Sequence, residues 1–143
     1  MAGENTYNVN EVINGLYGYL FDENGLQLQE TKEFEFSDEF EKEEIVIPGK
    51  FHKSHKVMGG SLSGSLTMNK RDSRLAAKIA ANPTAKYNYL GKLADPDAKG
   101  NEAVLIKGLS FDGNDIMKFA LGELTEGEFD FTADDFEFRE TIE

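Results

Sequence analysis

Apolar and polar residues alternate with a period of two over most of this chain, which restricts it to a fold built from antiparallel strands. Tyr17, Tyr19 and Phe21 alternate with Leu16, Gly18 and Leu20. Asp22-Glu23-Asn24-Gly25 reads as a turn, and Leu26 and Leu28 resume the pattern beyond it, so a β-hairpin is predicted. Phe34, Phe36 and Phe40 sit at even spacing within the acidic stretch Glu30 to Glu44, the pattern of a long strand with one buried and one charged face. Ile45-Val46-Ile47 ends at Pro48-Gly49, where a strand closes into a loop, and Lys50 to Gly60 reads as a basic, flexible loop. From Ser61 to Asn69 the alternation is clean: Ser61, Ser63, Ser65 and Thr67 share one face, Leu62, Gly64, Leu66 and Met68 the other.

One helix interrupts the period. Asp72 or Ser73 caps it, Leu75, Ala76, Ile79 and Ala80 form its apolar stripe, and Asn82-Pro83 stops it. Strands resume with Ala85 to Leu93, the turn Asp95 to Gly100, and a return strand from Val104 to Phe111. Asp112-Gly113-Asn114 reads as a plain hairpin turn into a strand from Ile116 to Leu124, and Glu126-Gly127 turns into Phe129, Phe131, Phe136 and Phe138. Residues 1–15 are polar and aperiodic, an extended arm or mobile terminus, with the arm itself over 1–10. About seven strands and one helix in a single domain, 1–143, predict a mainly β fold. It is either an antiparallel β-sandwich or a rolled sheet, with one flanking α-helix.

Charge narrows the function. The net charge is −12, which disfavours tight binding to nucleic acid or to an anionic membrane, since either would repel the chain. The charge is also arranged in blocks. Residues 1–44 carry 12 acids and 2 bases, residues 45–107 carry 4 acids and 11 bases, and residues 108–143 carry 11 acids and 2 bases. Acidic, basic and acidic blocks in that order can pair within the fold or between copies of it. The absence of cysteine excludes disulfides, thiolate metal sites and cysteine nucleophiles. No apolar run approaches the length of a membrane span and no apolar stretch follows Met1, so neither a membrane anchor nor a signal peptide is expected. The chain reads as a soluble protein made in a cytoplasm.

Catalytic chemistry finds no footing. His52 and His55 stand three apart, a spacing that joins two ligands on a helix. Here Pro48-Gly49 and Gly59-Gly60 argue against a helix, three lysines compete with a cation, and no carboxylate lies in the loop. Ser54 lacks a nucleophile-elbow context, and Ser63 runs straight into a strand pattern. Asp112-Gly113-Asn114-Asp115 lacks the later glutamate of a calcium loop. No enzyme, no cofactor and no metal are expected. Aromatic–acid alternation at both ends, a basic apolar loop between them and hydroxyl-faced strands are features of a chain that binds copies of itself.

A wider pattern carries a resemblance. Phe34-Glu35-Phe36 and its acidic strand lead into Glu43-Glu44-Ile45-Val46-Ile47-Pro48-Gly49. Lys56-Val57-Met58-Gly59-Gly60-Ser61-Leu62-Ser63-Gly64-Ser65-Leu66-Thr67-Met68 then runs toward a helix near Arg71-Asp72-Ser73-Arg74, and Glu128-Phe129-Asp130-Phe131-Thr132-Ala133-Asp134-Asp135-Phe136 follows near the end. This order resembles the tail tube proteins of contractile phage tails, the type found in PBSX-like prophages, related myophages and R-type bacteriocins. The resemblance spans residues 10 to 140. It implies two packed antiparallel sheets, a helix from Asp72 to Ala81 outside the barrel, and a long inter-subunit loop. Six copies would close into a β-barrel-lined ring, and rings would stack into an open-ended tube.

On that resemblance, Pro48 to Gly60 corresponds to the loop that contacts adjacent subunits. Phe51, Val57 and Met58 would be its apolar anchors and Lys50, Lys53 and Lys56 its charges, with His52 and His55 between them. The acidic partner strand would present Glu35, Asp38, Glu39, Glu41 and Glu43. The implied partners are further copies of the chain, a tail sheath protein, a baseplate or tube initiator, a tape measure protein and a tail terminator. DNA, or ions in a bacteriocin, would pass through the lumen without tight binding. The location would be a virion tail or phage-like particle assembled in the bacterial host cytoplasm. The competing class is a monomeric β-sandwich that binds a ligand or carbohydrate, with Tyr17, Tyr19, Tyr87 and Tyr89 as a stacking platform.

Overall fold

The computed structural model describes residues 7–142. Of the arm expected over 1–10, the first six residues lie outside the described residues, and Val9–Glu11 forms a single 3-10 turn. Seven strands and one α-helix follow: β1 (Gly18–Phe21), β2 (Thr31–Ile45), β3 (Ser54–Asn69), α1 (Arg74–Ala81), β4 (Tyr87–Leu93), β5 (Glu102–Phe111), β6 (Glu126–Ala133) and β7 (Asp135–Glu140). All pairings are antiparallel.

The strands make two layers that share β5. One layer is β1-β4-β5-β7, and the other is β2-β3-β6. β5 pairs with β4 as far as Leu109 and with β7 as far as Lys107, while Ser110 and Phe111 at its end pair with Thr132 and Phe131 of β6. Gly108 makes that passage possible. Its φ is +67°, a conformation costly for other residues, and an added Cβ would strike the Asp134 carboxylate. The outcome is the mainly β, antiparallel sandwich with one helix that the alternation predicts.

The core lies between the layers and is aromatic. Phe34 and Phe36 stack on Phe131 at centroid distances of 5.9 and 6.1 Å, and Phe111 meets the same ring edge-on at 6.4 Å. Leu20, Leu66, Tyr87, Tyr89, Ile106, Leu109 and Phe129 complete it. Gly64 lets β3 pass under this stack: an added Cβ would collide with the Glu35 carbonyl and lie 2.6 Å from the Phe131 ring. The helix closes one end through buried Ile79, with Leu75 packed against the cluster. Ser73 holds the cap position without a side-chain bond, and Asp72 Oδ1 instead accepts from Arg74 N at 3.2 Å.

Four local readings of the sequence are corrected. The basic stretch Lys50 to Gly60 is not a loop throughout: β3 starts at Ser54, and only residues 46–53 connect the strands. Gly59 and Gly60, within that stretch, pair in register with Glu41 and Phe40. The hairpin over 16–28 contracts to the single bridge Phe21↔Gln27 on one edge of β1, whose other edge pairs with β4. Ile116 to Leu124 is not a strand. It is an exposed loop, since none of its apolar side chains has a place in the core. Asp112-Gly113-Asn114 is accordingly not a hairpin turn but the anchored start of that loop.

Candidate assembly surfaces

Beyond Leu62, β3 parts from β6 and continues with β2 alone. Residues 39–61 therefore form a two-stranded arm, and among the described residues no other strand pairs with it. Phe40, Ile45, Val46, Ile47, Phe51, Val57 and Met58 are all exposed on it, with Phe51 at 93%. A hairpin alone is marginal in water, and an apolar one invites a partner.

The residues expected at the inter-subunit contact divide between the connection and the strand. Lys50, Phe51, His52 and Lys53 lie in the turn; His55, Lys56, Val57 and Met58 lie on β3. The Phe51 and His52 rings meet edge-on at 5.1 Å. Lys50 Nζ donates to Ser54 Oγ at 3.3 Å. Lys53 Nζ lies 3.3 Å from Glu44 Oε2, His55 Nε2 lies 3.9 Å from Glu44 Oε1, and Lys56 stands opposite Glu43 in the ladder. The acidic strand is thus brought against the basic stretch of its own hairpin. These pairs are exposed, and such contacts are worth at most about 1 kcal/mol each.

Register sorts the five acids. Asp38 shares a face with Phe34, Phe36 and Phe40, whereas Glu35, Glu39, Glu41 and Glu43 point to the opposite side. That opposite side continues across the layer: Glu35 is level with Ser65 and Asp130, Ser37 with Ser63 and Thr132, Glu33 with Thr67 and Glu128. Between Glu33 and Glu41 the three strands place no basic side chain on it. Among the described residues, none of Glu33, Glu35, Glu39, Glu41, Glu128 and Asp130 has a cation within 4 Å. The serines and threonines of β3 separate two rows of carboxylates by about 10 Å, close to one Debye length at physiological salt.

A third surface escaped the sequence reading. Residues 112–125 leave β5 and return to β6 with Ile116, Met117, Phe119, Leu121 and Leu124 exposed, Leu121 at 96%. The loop is pinned at its base. Asn114 Nδ2 donates to Ala76 O (2.9 Å), Lys70 Nζ to Ile116 O (3.0 Å) and Lys70 N to Thr125 O (2.8 Å), while Asp115 Oδ2 accepts from Glu128 N (3.1 Å). Its spacing carried a signal: adjacent Ile116 and Met117, then Phe119, Leu121 and Leu124, fit no one-faced strand.

Tyr87 and Tyr89 do not form a stacking platform. Both are buried, Tyr89 to 2% exposure, and burial pushes its hydroxyl well above the usual tyrosine range. Among the described residues, no group of three His, Cys, Asp or Glu is placed to hold a metal ion.

No curated protein matches the chain significantly. The fold is similar to that of several solved structures at low identity. A chain of the anti-feeding prophage cap, a tube-terminating cap, superposes with a TM-score of 0.72 at 8% identity, over 99% of this chain and 100% of that one. A chain of the sheath/tube terminator of an extracellular contractile injection system gives 0.71 at 10% identity, over 93% and 100%. A chain of the sheath–tube complex of such a system, in its extended state, gives 0.69 at 10% identity, over 98% and 95%. The model of the phage tail tube protein family matches residues 5–140, taking in the arm, the carboxylate and hydroxyl face and the 112–125 loop together. The chain belongs to the phage tail tube protein family, and its role is that of a structural component of a tail tube.

Proposed function

We propose that six copies of this chain close into a ring, that rings stack head to tail, and that the layer β2-β3-β6 forms the inner wall of the resulting tube. The observation that carries this reading is the face shared by Glu33, Glu35, Glu39, Glu41, Glu128 and Asp130, interleaved with hydroxyls and free of basic side chains. Turned to the lumen, it repels phosphates and lets DNA pass without being held. In a bacteriocin-type particle the same wall would pass ions. The outer edge of β2 is a 15-residue strand without a neighbour among the described residues. An edge this long is an aggregation hazard unless paired, and pairing it with the next copy closes a barrel.

The protein acts as a building element rather than as an enzyme. Its neighbours would be a sheath protein around the tube, a baseplate initiator and a terminator at its ends, and a tape measure protein inside. The fold similarity to chains of a sheath–tube complex and of two tube-terminating assemblies supports the sheath protein and the terminator among these. Assembly would take place in the host cytoplasm, with the finished protein in the tail. A Glu39→Cys variant tests the orientation of the wall. A bulky polymer-linked maleimide should label it in dilute subunits and fail to label it in polymer; equal labelling of both would overturn the reading.

A further inference from the structure

The arm tip and the 112–125 loop lie at opposite ends of the molecule. β3 runs 16 residues from Ser54, beside the tip, to Asn69, which pairs with Glu126 at the end of the loop. At about 3.3 Å per residue, the two surfaces are roughly 50 Å apart. Neither serves the subunit's own core, and each is strongly apolar. Their charges are opposite: residues 46–58 hold Lys50, Lys53 and Lys56 and no acid, whereas residues 112–125 hold Asp112, Asp115 and Glu123 against Lys118 alone.

Two different, complementary patches at opposite ends are what a head-to-tail contact requires. Such a contact does not close on itself and so builds an open polymer. We infer that the 112–125 loop is the seat for the arm tip of a second copy of this chain in the next ring. This rests on the ring-and-stack reading above and adds the acceptor to it. Phe51, Val57 and Met58 of one copy cover Ile116, Phe119, Leu121 and Leu124 of the other, and Lys50 and Lys53 meet Glu123 and Asp112. The seat is ready-made, because Lys70 and Asn114 fix both ends of the loop against the body. The arm, marginal by itself, is ordered by the contact it makes.

The natural chain has no cysteine, so a pair of introduced thiols is unambiguous. Phe51→Cys and Leu121→Cys subunits are mixed, concentrated until tubes form, and treated with a short bis-maleimide. The expected result is a covalent dimer in the mixture, a ladder of multimers from the double variant, and neither from each single variant alone. Tubes of normal appearance without the dimer would overturn the inference, as would Phe51→Cys cross-linking to itself. Capture of Leu121→Cys by added sheath protein instead of by the Phe51→Cys subunit would do the same. A wild-type chain that never polymerises under the same conditions would instead remove the ring-and-stack reading on which the inference stands. Leu121→Glu gives a second measure. It should leave the thermal midpoint of the subunit unchanged and abolish tubes, and tube formation at the wild-type concentration would count against the seat.

Discussion

Glu35 and Asp130 project from the same face two strands apart, with Ser65 of the intervening strand level with both. The hydroxyl strand thus works as a spacer, admitting two rows of carboxylates to one sheet without placing like charges directly opposite each other. Ser65→Glu would put a third charge opposite both. The expected cost is roughly 0.2–1 kcal/mol for each opposed pair, read from urea unfolding of the subunit at low salt. The deficit should shrink in high salt, where exposed charges are screened. Ser65→Gln, of similar size but neutral, should cost less at low salt and show little salt dependence.

Alkaline pH should weaken the subunit through Tyr89. Its folded-state pKa is raised by burial above the ordinary value of 10.0. The neutral phenol is therefore favoured in the folded state, and its contribution to stability is fully present below pH 10 and lost as pH rises further. Unfolding midpoints taken from pH 8 to pH 11.5 should fall more steeply for the wild type than for Tyr89→Phe, which cannot ionise. Parallel slopes would show that this hydroxyl does not carry the effect.

Removing Phe51 to Met58 should leave a folded subunit that cannot polymerise. The core ends at Phe36 on β2 and Leu66 on β3, and the residues deleted lie far along the arm. Circular dichroism and the cooperativity of thermal unfolding should be retained while electron microscopy shows neither rings nor tubes. Normal tubes from the shortened chain would remove the arm from the assembly contacts.

These outcomes bear on what the sequence could express. The period-two runs around Phe34, Leu66, Tyr89, Ile106 and Phe131 were legible because one face of each strand is buried in the subunit itself. The helix was legible for the same reason, through Leu75 and Ile79. The errors fall where apolar residues serve no core of their own. Ile116 to Leu124 looked like a strand because exposed apolar residues and core residues are alike in a sequence. The basic stretch before Gly60 looked like a loop because its strand has solvent on both faces, which removes the alternation that marks strands. The division of Asp38 from Glu35, Glu39, Glu41 and Glu43 depends on the β2 register, which only the ladder with β3 fixes.

Electron cryomicroscopy of polymer grown from the purified chain tests the central claim most directly. The account expects a hollow tube with six subunits per ring, β2-β3-β6 forming its inner wall, and Glu35, Glu39 and Asp130 facing the lumen. A chain that stays monomeric at high concentration, or a tube whose lumen is lined by β1-β4-β5-β7 instead, would contradict it.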